Sequence, residues 1–256
     1  MKLTEYLELL AYDIGFWMSA FQSADYPLEQ LGDVTDSVTA KLRAAAIIAL
    51  LAKGDSDTYY HNLIRSGRCR LTYLQRCRGA GHTTDHHQAS SRLGGFADAV
   101  AAADFATARQ IVGLSPGTWL QGQEYEDDFC HAQILYGLIA AQPDPAHMQA
   151  LFDRFATALD GRPDARLEVG KAIFGRSQAD FDAAIEALLA QRTAFIEADK
   201  ARHKIEEPVM IAERQVYVEG LAFLRIAERL GTTLQAEYLY LPSLARVPMR
   251  KPFPGE

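Results

Sequence analysis

Glu213–Gly231 reads ERQVYVEGLAFLRIAERLG, and residues 237–248 follow as EYLYLPSLARVP. At 100° per residue, Val216, Tyr217, Gly220, Phe223, Leu224 and Ala227 share one broad apolar arc. Arg214, Arg225 and Arg229 take the opposite side. The pattern predicts one buried helix over the whole stretch. Two carboxylates interrupt it: Glu219 falls near Phe223, Ile226 and Leu230, and Glu228 falls between Tyr217 and Leu221. A carboxylate in such a setting needs an arginine, lysine or hydroxyl partner, or it becomes neutral. General acid–base work needs a second positioned group and a pocket, and neither is visible nearby. Glu219 and Glu228 are therefore read as structural pins, paired with arginines of a helix far upstream.

The same periodicity extends outward. Asp144-Pro145 places a capping residue before a proline at the first helical position, and Met148, Leu151, Phe152, Phe155 and Leu159 follow at helical spacing up to Gly161. A shorter helix is expected near 166–174. Ser177-Gln-Ala-Asp180 resembles a capping box and opens a helix whose end carries Lys200, Arg202 and Lys204, until Glu206-Glu207-Pro208 breaks it. Nearer the amino end, Leu3, Leu7, Leu10, Ile14, Trp17 and Phe21 form one stripe over 4–22. Helices are expected over 34–53, stopped by Gly54, and over 57–78. The Ala-rich segment 85–112 is mostly helical, with Gly94-Gly95 and Asp104 as punctuation. Residues 115–127, SPGTWLQGQEYED, form the longest loop, and Asp128 caps the helix after it. No segment alternates with period two. The fold is all-α, about eight to ten antiparallel helices in a single domain over 1–256, with a possible division near 115–127.

A net charge of −7 over 256 residues argues against direct nucleic-acid binding, which needs a basic surface, and favours a basic partner. Glu5, Glu8 and Asp13 interrupt any signal-peptide core at the start, and no apolar run is long enough to span a membrane. The expected setting is cytoplasmic, and Cys69, Cys77 and Cys130 are expected as free thiols.

Four clusters are candidates for chemistry. Gly81-His82-Thr83-Thr84-Asp85-His86-His87 offers His82 and His86 at a metal-ligand spacing, but no Glu follows His82 and His61 and His131 stand apart. It reads as a polar loop, with no metal or cofactor called for. Cys69 lies among Arg65, Arg68 and Arg70, and Cys130 precedes His131; both read as small buried residues. Arg65, Arg68, Arg70, Arg76 and Arg78 read as a solvated face that also pairs with internal acids. Glu124, Glu126, Asp127 and Asp128 surround Tyr125 close to Trp119. Aromatic anchors inside a negative surface are the best docking candidate for a basic protein, so these six residues are the expected partner contacts.

VYVEGL at 216–221, Ala227-Glu228 and PSLAR at 242–246 resemble the carboxyl-terminal signature of the immunity protein 49 family, as does the preceding LDGRPDARLEVGKAIFGRSQADFDAAIEALLAQR. The resemblance covers roughly the last hundred residues. It implies an all-helical cytoplasmic antidote in a bacterial polymorphic toxin system, encoded beside a secreted toxin, often a nuclease. The expected function is stoichiometric neutralisation of such a toxin, without catalysis. The competing readings are a metal-dependent helical hydrolase using His82, Asp85 and His86, with His61 as an optional fourth, and a helical scaffold for another cytosolic partner.

Overall fold

A computed structural model describes residues 3–83, 85–202 and 207–254; Thr84, Lys204 and Glu206 lie outside them, as does the side chain of Leu3. The chain is all-α. Helix α1 (Leu3–Gln22) turns back into α2 (Leu28–Lys53) and then α3 (Ser56–Gly79), and α2 against α3 is the most extensive helix pairing. Next come α4 (Gly94–Ala101), α5 (Phe105–Leu114), α6 (Glu126–Ile139), α7 (Pro145–Leu159), α8 (Ala165–Gly175), α9 (Gln178–Arg202), α10 (Pro208–Gln215) and α11 (Val218–Arg229). Among the described residues the only β pairing is an isolated bridge between Gln121 and Glu124. No helix of the described residues is long and apolar enough to cross a membrane.

Local chemistry sets most boundaries. Gly54 takes the left-handed conformation that closes α2 (φ 63°). Aspartates accept first-turn N–H groups: Asp55 from Thr58 at 2.9 Å, Asp104 from Thr107 at 3.1 Å, Asp144 from Ala146 at 3.0 Å and Asp164 from Arg166 at 2.9 Å. Ser177 Oγ accepts the Asp180 N–H at 3.4 Å, the forward half of the expected box.

Four expectations are corrected. Asp128 does not cap α6, which begins at Glu126 with Tyr125 at its cap position, so Asp128 lies inside the first turn. Helix α2 begins at Leu28, earlier than 34, because Leu31 and Gly32 are buried and tertiary packing sustains the extra turn. Gly94-Gly95 opens α4 rather than breaking a helix. A Cβ on residue 95 would lie 2.5 Å from Cβ of Arg70 and 3.2 Å from the Ser66 carbonyl, so Gly95 lets α4 press onto the α3 backbone. Gly95→Ala is expected to cost about 1–3 kcal/mol through overpacking, read as a lower denaturant midpoint with an unchanged slope.

The fourth correction is in the opening stretch. Glu213–Gly231 is not one helix: Val216 is extended (φ −131°, ψ 125°), and the chain bends between α10 and α11. The Tyr217 N–H donates to the Tyr240 carbonyl at 2.9 Å instead of continuing the α10 ladder. A Cβ on Gly220 would meet Tyr217 and Leu241 at 2.6 and 2.7 Å, so only glycine lets the YLYLP segment settle on α11. Tyr60 of α3 anchors the following PSLAR run by donating its hydroxyl to the Ala245 carbonyl at 2.9 Å. The two halves of the carboxyl-terminal signature are thus one packing unit. Helix α11 is central, with Phe223 and Leu224 fully buried against α4 and α8.

Candidate functional site

Glu219 stands in the first turn of α11, its Oε1 2.8 Å from Nε2 of His131 on α6. The Tyr217 hydroxyl is 3.4 Å from the same oxygen. His131 is buried, with its ring beside Phe223 and Phe155. Burial pushes the Glu219 carboxyl up, but the His131 hydrogen bond and charge, with the Arg166 and Arg43 charges, outweigh it and hold the group down at about 2. Glu219 is therefore a pin, though its direct partner is a histidine of α6 rather than an arginine of α3. Glu228 is not buried: it lies exposed and pairs with Arg225 of its own helix at 3.2 Å. The helical wheel misplaced it because the break at Val216-Tyr217 leaves it in the last turn of a shorter helix.

A second pin lies across the same pocket. Arg43 of α2 forks onto Asp98 of α4, with Nε–Oδ1 at 2.6 Å and Nη2–Oδ2 at 3.0 Å, and reaches Glu213 of α10 with Nη1 at 2.9 Å. Asp98 is fully buried and also accepts the Ser66 hydroxyl. Burial works to lower the Arg43 pKa, but Asp98 and Glu213 raise it above its ordinary value, so Arg43 stays charged. Arg43, Glu213, Tyr217, Glu219 and Arg192 line a cavity of about 150 Å³. Both of its acids are already paired, as pins require.

Five of the six expected partner contacts, Trp119, Glu124, Tyr125, Glu126 and Asp128, line one groove, Asp127 does not, and their roles are unequal. Trp119 is half-buried, its indole N–H donating to the Glu124 carbonyl at 3.0 Å. Glu124 fastens the loop internally, accepting the Leu120 and Ser91 N–H groups, each at 3.0 Å. Glu126, Asp127 and Asp128 pair with Arg154, Arg162 and Arg166 at 2.7, 3.1 and 2.8 Å. Tyr125 alone of the six projects outward, 78 % exposed, at the edge of a groove of about 660 Å³ that Trp119, Glu124 and Arg92 also line.

His82, Asp85, His86 and His87 gather beside the first turns of α2, where Asp33 and Asp36 join them; both aspartates were passed over in the sequence. His61 does not join them. It lies toward the opposite end of α3, about 27 Å away along the helix axis, with Nε2 3.0 Å from the Lys251 carbonyl. His82, Asp85 and His86 therefore come together as the hydrolase reading has them, without the optional His61. The cysteines are free and buried, and burial pushes the Cys130 thiol up to about 11, against a nucleophilic role. Among the α3 arginines, Arg70 and Arg76 hold carbonyls rather than acids: Arg70 those of His87 and Ala89, Arg76 those of Ser23 and Ala24 after α1.

Sequence reading passed over Arg43 and Asp98, and noted His131 without its bracing role. The available signal was weak: a charge inside the apolar runs LRAAAII and GFADAVAAA.

Fold and site together define an all-α protein braced internally by ion pairs between helices. The chain belongs to the Immunity protein 49 family, whose model matches residues 29–245. The match extends well beyond the carboxyl-terminal third that carries the visible resemblance, and leaves α1 outside. No match was found among curated proteins or among solved structures.

Proposed function

We propose that this protein neutralises a cognate secreted toxin in the cytoplasm by stoichiometric binding, performs no reaction itself, and docks through the face bearing Trp119, Glu124, Tyr125, Glu126, Asp127 and Asp128. Membership of the immunity family supports a toxin partner. The observation that carries the surface is Tyr125, a large exposed aromatic beside a groove on a loop fastened by Glu124. A rigid aromatic anchor loses little entropy on binding and suits the centre of an interface. The acids around it are held by arginines, so the rim is ordered and mixed in sign. Electrostatic steering of a basic nuclease domain then comes from the net charge of −7 rather than from this rim alone.

The test is co-expression with the toxin encoded in the neighbouring reading frame, followed by binding measurements on the purified pair. Tyr125→Ala is expected to weaken the complex about 30-fold or more, as truncation of a central aromatic does, with the helical circular dichroism unchanged. Unaltered affinity and on-rate would place the interface elsewhere, and failure of the wild-type chain to rescue growth would remove the immunity reading itself.

A further inference from the structure

The 3-10 turn His86–Gln88 faces the start of α2 across an open cleft of about 730 Å³, lined by Glu29, Asp33, His82, Asp85, His86 and His87. Its geometry is built from several elements. Arg70 grips the carbonyls of His87 and Ala89. Asp85 is buried, accepting the Tyr73 hydroxyl at 2.8 Å and the His87 N–H at 2.9 Å. Gly32 makes room for the His87 ring, since a Cβ there would lie 2.4 Å from it.

His87 is placed between two carboxylates. Nδ1 is 2.9 Å from Asp36 and Nε2 is 3.2 Å from Asp33. A neutral imidazole carries one N–H, and the shorter contact assigns it to Nδ1. Nε2 and the Asp33 oxygen then turn lone pairs toward each other, an arrangement that needs a cation or a second proton between them. A histidine donating one N–H to a carboxylate while its other nitrogen faces an anionic ligand is the standard outer-shell arrangement of a metal site. Around Asp85, His86 Nδ1 stands 3.5 Å from Oδ1 and His82 Nε2 stands 3.3 Å from Oδ2. The His86 distance exceeds the ordinary N–H···O distance of about 2.9 Å and matches the edge of about 3.4 Å between donors in a zinc tetrahedron, while His82 is hydrogen-bonded to Asp85. One ligand atom each from Asp85, His86 and His87 lie within 4.8 Å of one another.

We propose that His86, His87 through Nε2, Asp85 and Asp33 bind one divalent transition-metal ion of the zinc class. Asp36 and Tyr73 orient the ligands, and His82 flanks them. Imidazole and carboxylate donors without thiolate suit zinc and nickel better than calcium. The ion ties the start of α2 to the 3-10 turn and can be reached from solvent, because His86 and Asp33 are exposed. The site stands independently of the toxin-binding reading, since it serves no reaction assigned to the protein.

The test is calorimetric titration of zinc chloride into the chelator-treated full chain at pH 7.5, with thermal melting alongside. One equivalent is expected to bind and to raise the melting temperature. His86→Ala, at an exposed position, is expected to weaken binding at least 10-fold while the fold is kept, and Asp36→Asn about 10- to 100-fold through the outer shell. His147→Ala, at an exposed histidine on α7, serves as the control and should match wild type. No uptake at 100-fold molar excess of zinc overturns the proposal and leaves His87 as a bridge between Asp33 and Asp36 alone. Wild-type affinity in His86→Ala overturns it equally, because the ion then sits elsewhere.

Discussion

Arg43→Ala is expected to lower the stability of the folded chain by about 3–5 kcal/mol, the range for removing one partner of a buried ion pair. For a chain of this size that corresponds to a fall of roughly 6–20 °C in melting temperature. The loss is large because of what remains. Asp98, fully buried, would keep only the Ser66 hydroxyl against its negative charge. Glu213 would lose its partner too, but is one-third exposed and can turn to solvent. The stranded aspartate therefore dominates. The double change Arg43→Met with Asp98→Leu separates the cost of an orphaned charge from the worth of the pair. It should recover more than half of the loss, because buried pairs replaced by apolar groups of similar volume are often neutral. Denaturant unfolding at pH 7 reads both variants against wild type. A loss below about 1 kcal/mol for Arg43→Ala would show that the pocket admits water readily, and the bracing role assigned to this pair would fail.

The contrast between what sequence reading reached and what it missed follows the range of the interactions. The helix start at Asp144 depends on a side chain reaching an N–H two residues on, and local spacing displayed it; Asp104 stood out as punctuation, while Asp55 and Asp164 cap by the same chemistry without having been picked out. The bend at Val216-Tyr217 depends on the carbonyl of Tyr240, and Gly95 depends on a helix lying across it; neither has a local signature. The pins show the same limit. A carboxylate in an apolar arc announces that it needs a partner, and Glu219 did so. Its partner is 88 residues away in a Cys-His pair that drew notice only as a possible nucleophile. At the histidine cluster, local spacing displayed His82 and His86, while Asp36 reaches His87 across 51 residues, so the donor set was incomplete until the chain was folded. The proposed docking face rests on composition, an aromatic pair amid acids. Its internal division between Glu124, turned to holding the loop, and Tyr125, turned to solvent, is a product of tertiary structure.

Wild type and Glu219→Gln are expected to differ most near neutral pH and to converge in acid. The folded carboxyl titrates at about 2 against an ordinary value of 4.5. A group whose pKa is depressed on folding contributes fully above its unfolded value and loses that contribution as pH falls through the folded one. The window therefore runs from about pH 5 down to about pH 2, and the depression corresponds to roughly 3 kcal/mol. Glutamine keeps the shape and an acceptor toward His131 but removes the charge that His131 and Arg166 face. At pH 7 the variant should be less stable by about 2–3 kcal/mol, with the gap narrowing below pH 5 and nearly closed at pH 2.5. Other acids held low, such as Asp164 beside Arg166, titrate in both proteins and cancel in the difference. Parallel stability curves between pH 5 and pH 2.5 would rule out Glu219 as the group responsible. The consequence reaches the proposed docking face, because His131 lies on α6, whose first turn carries Glu126, Asp127 and Asp128. Weakening the tie between α11 and α6 loosens the element that presents those acids beside Tyr125. In Glu219→Gln the complex should consequently dissociate faster at neutral pH although the substituted side chain lies off that face.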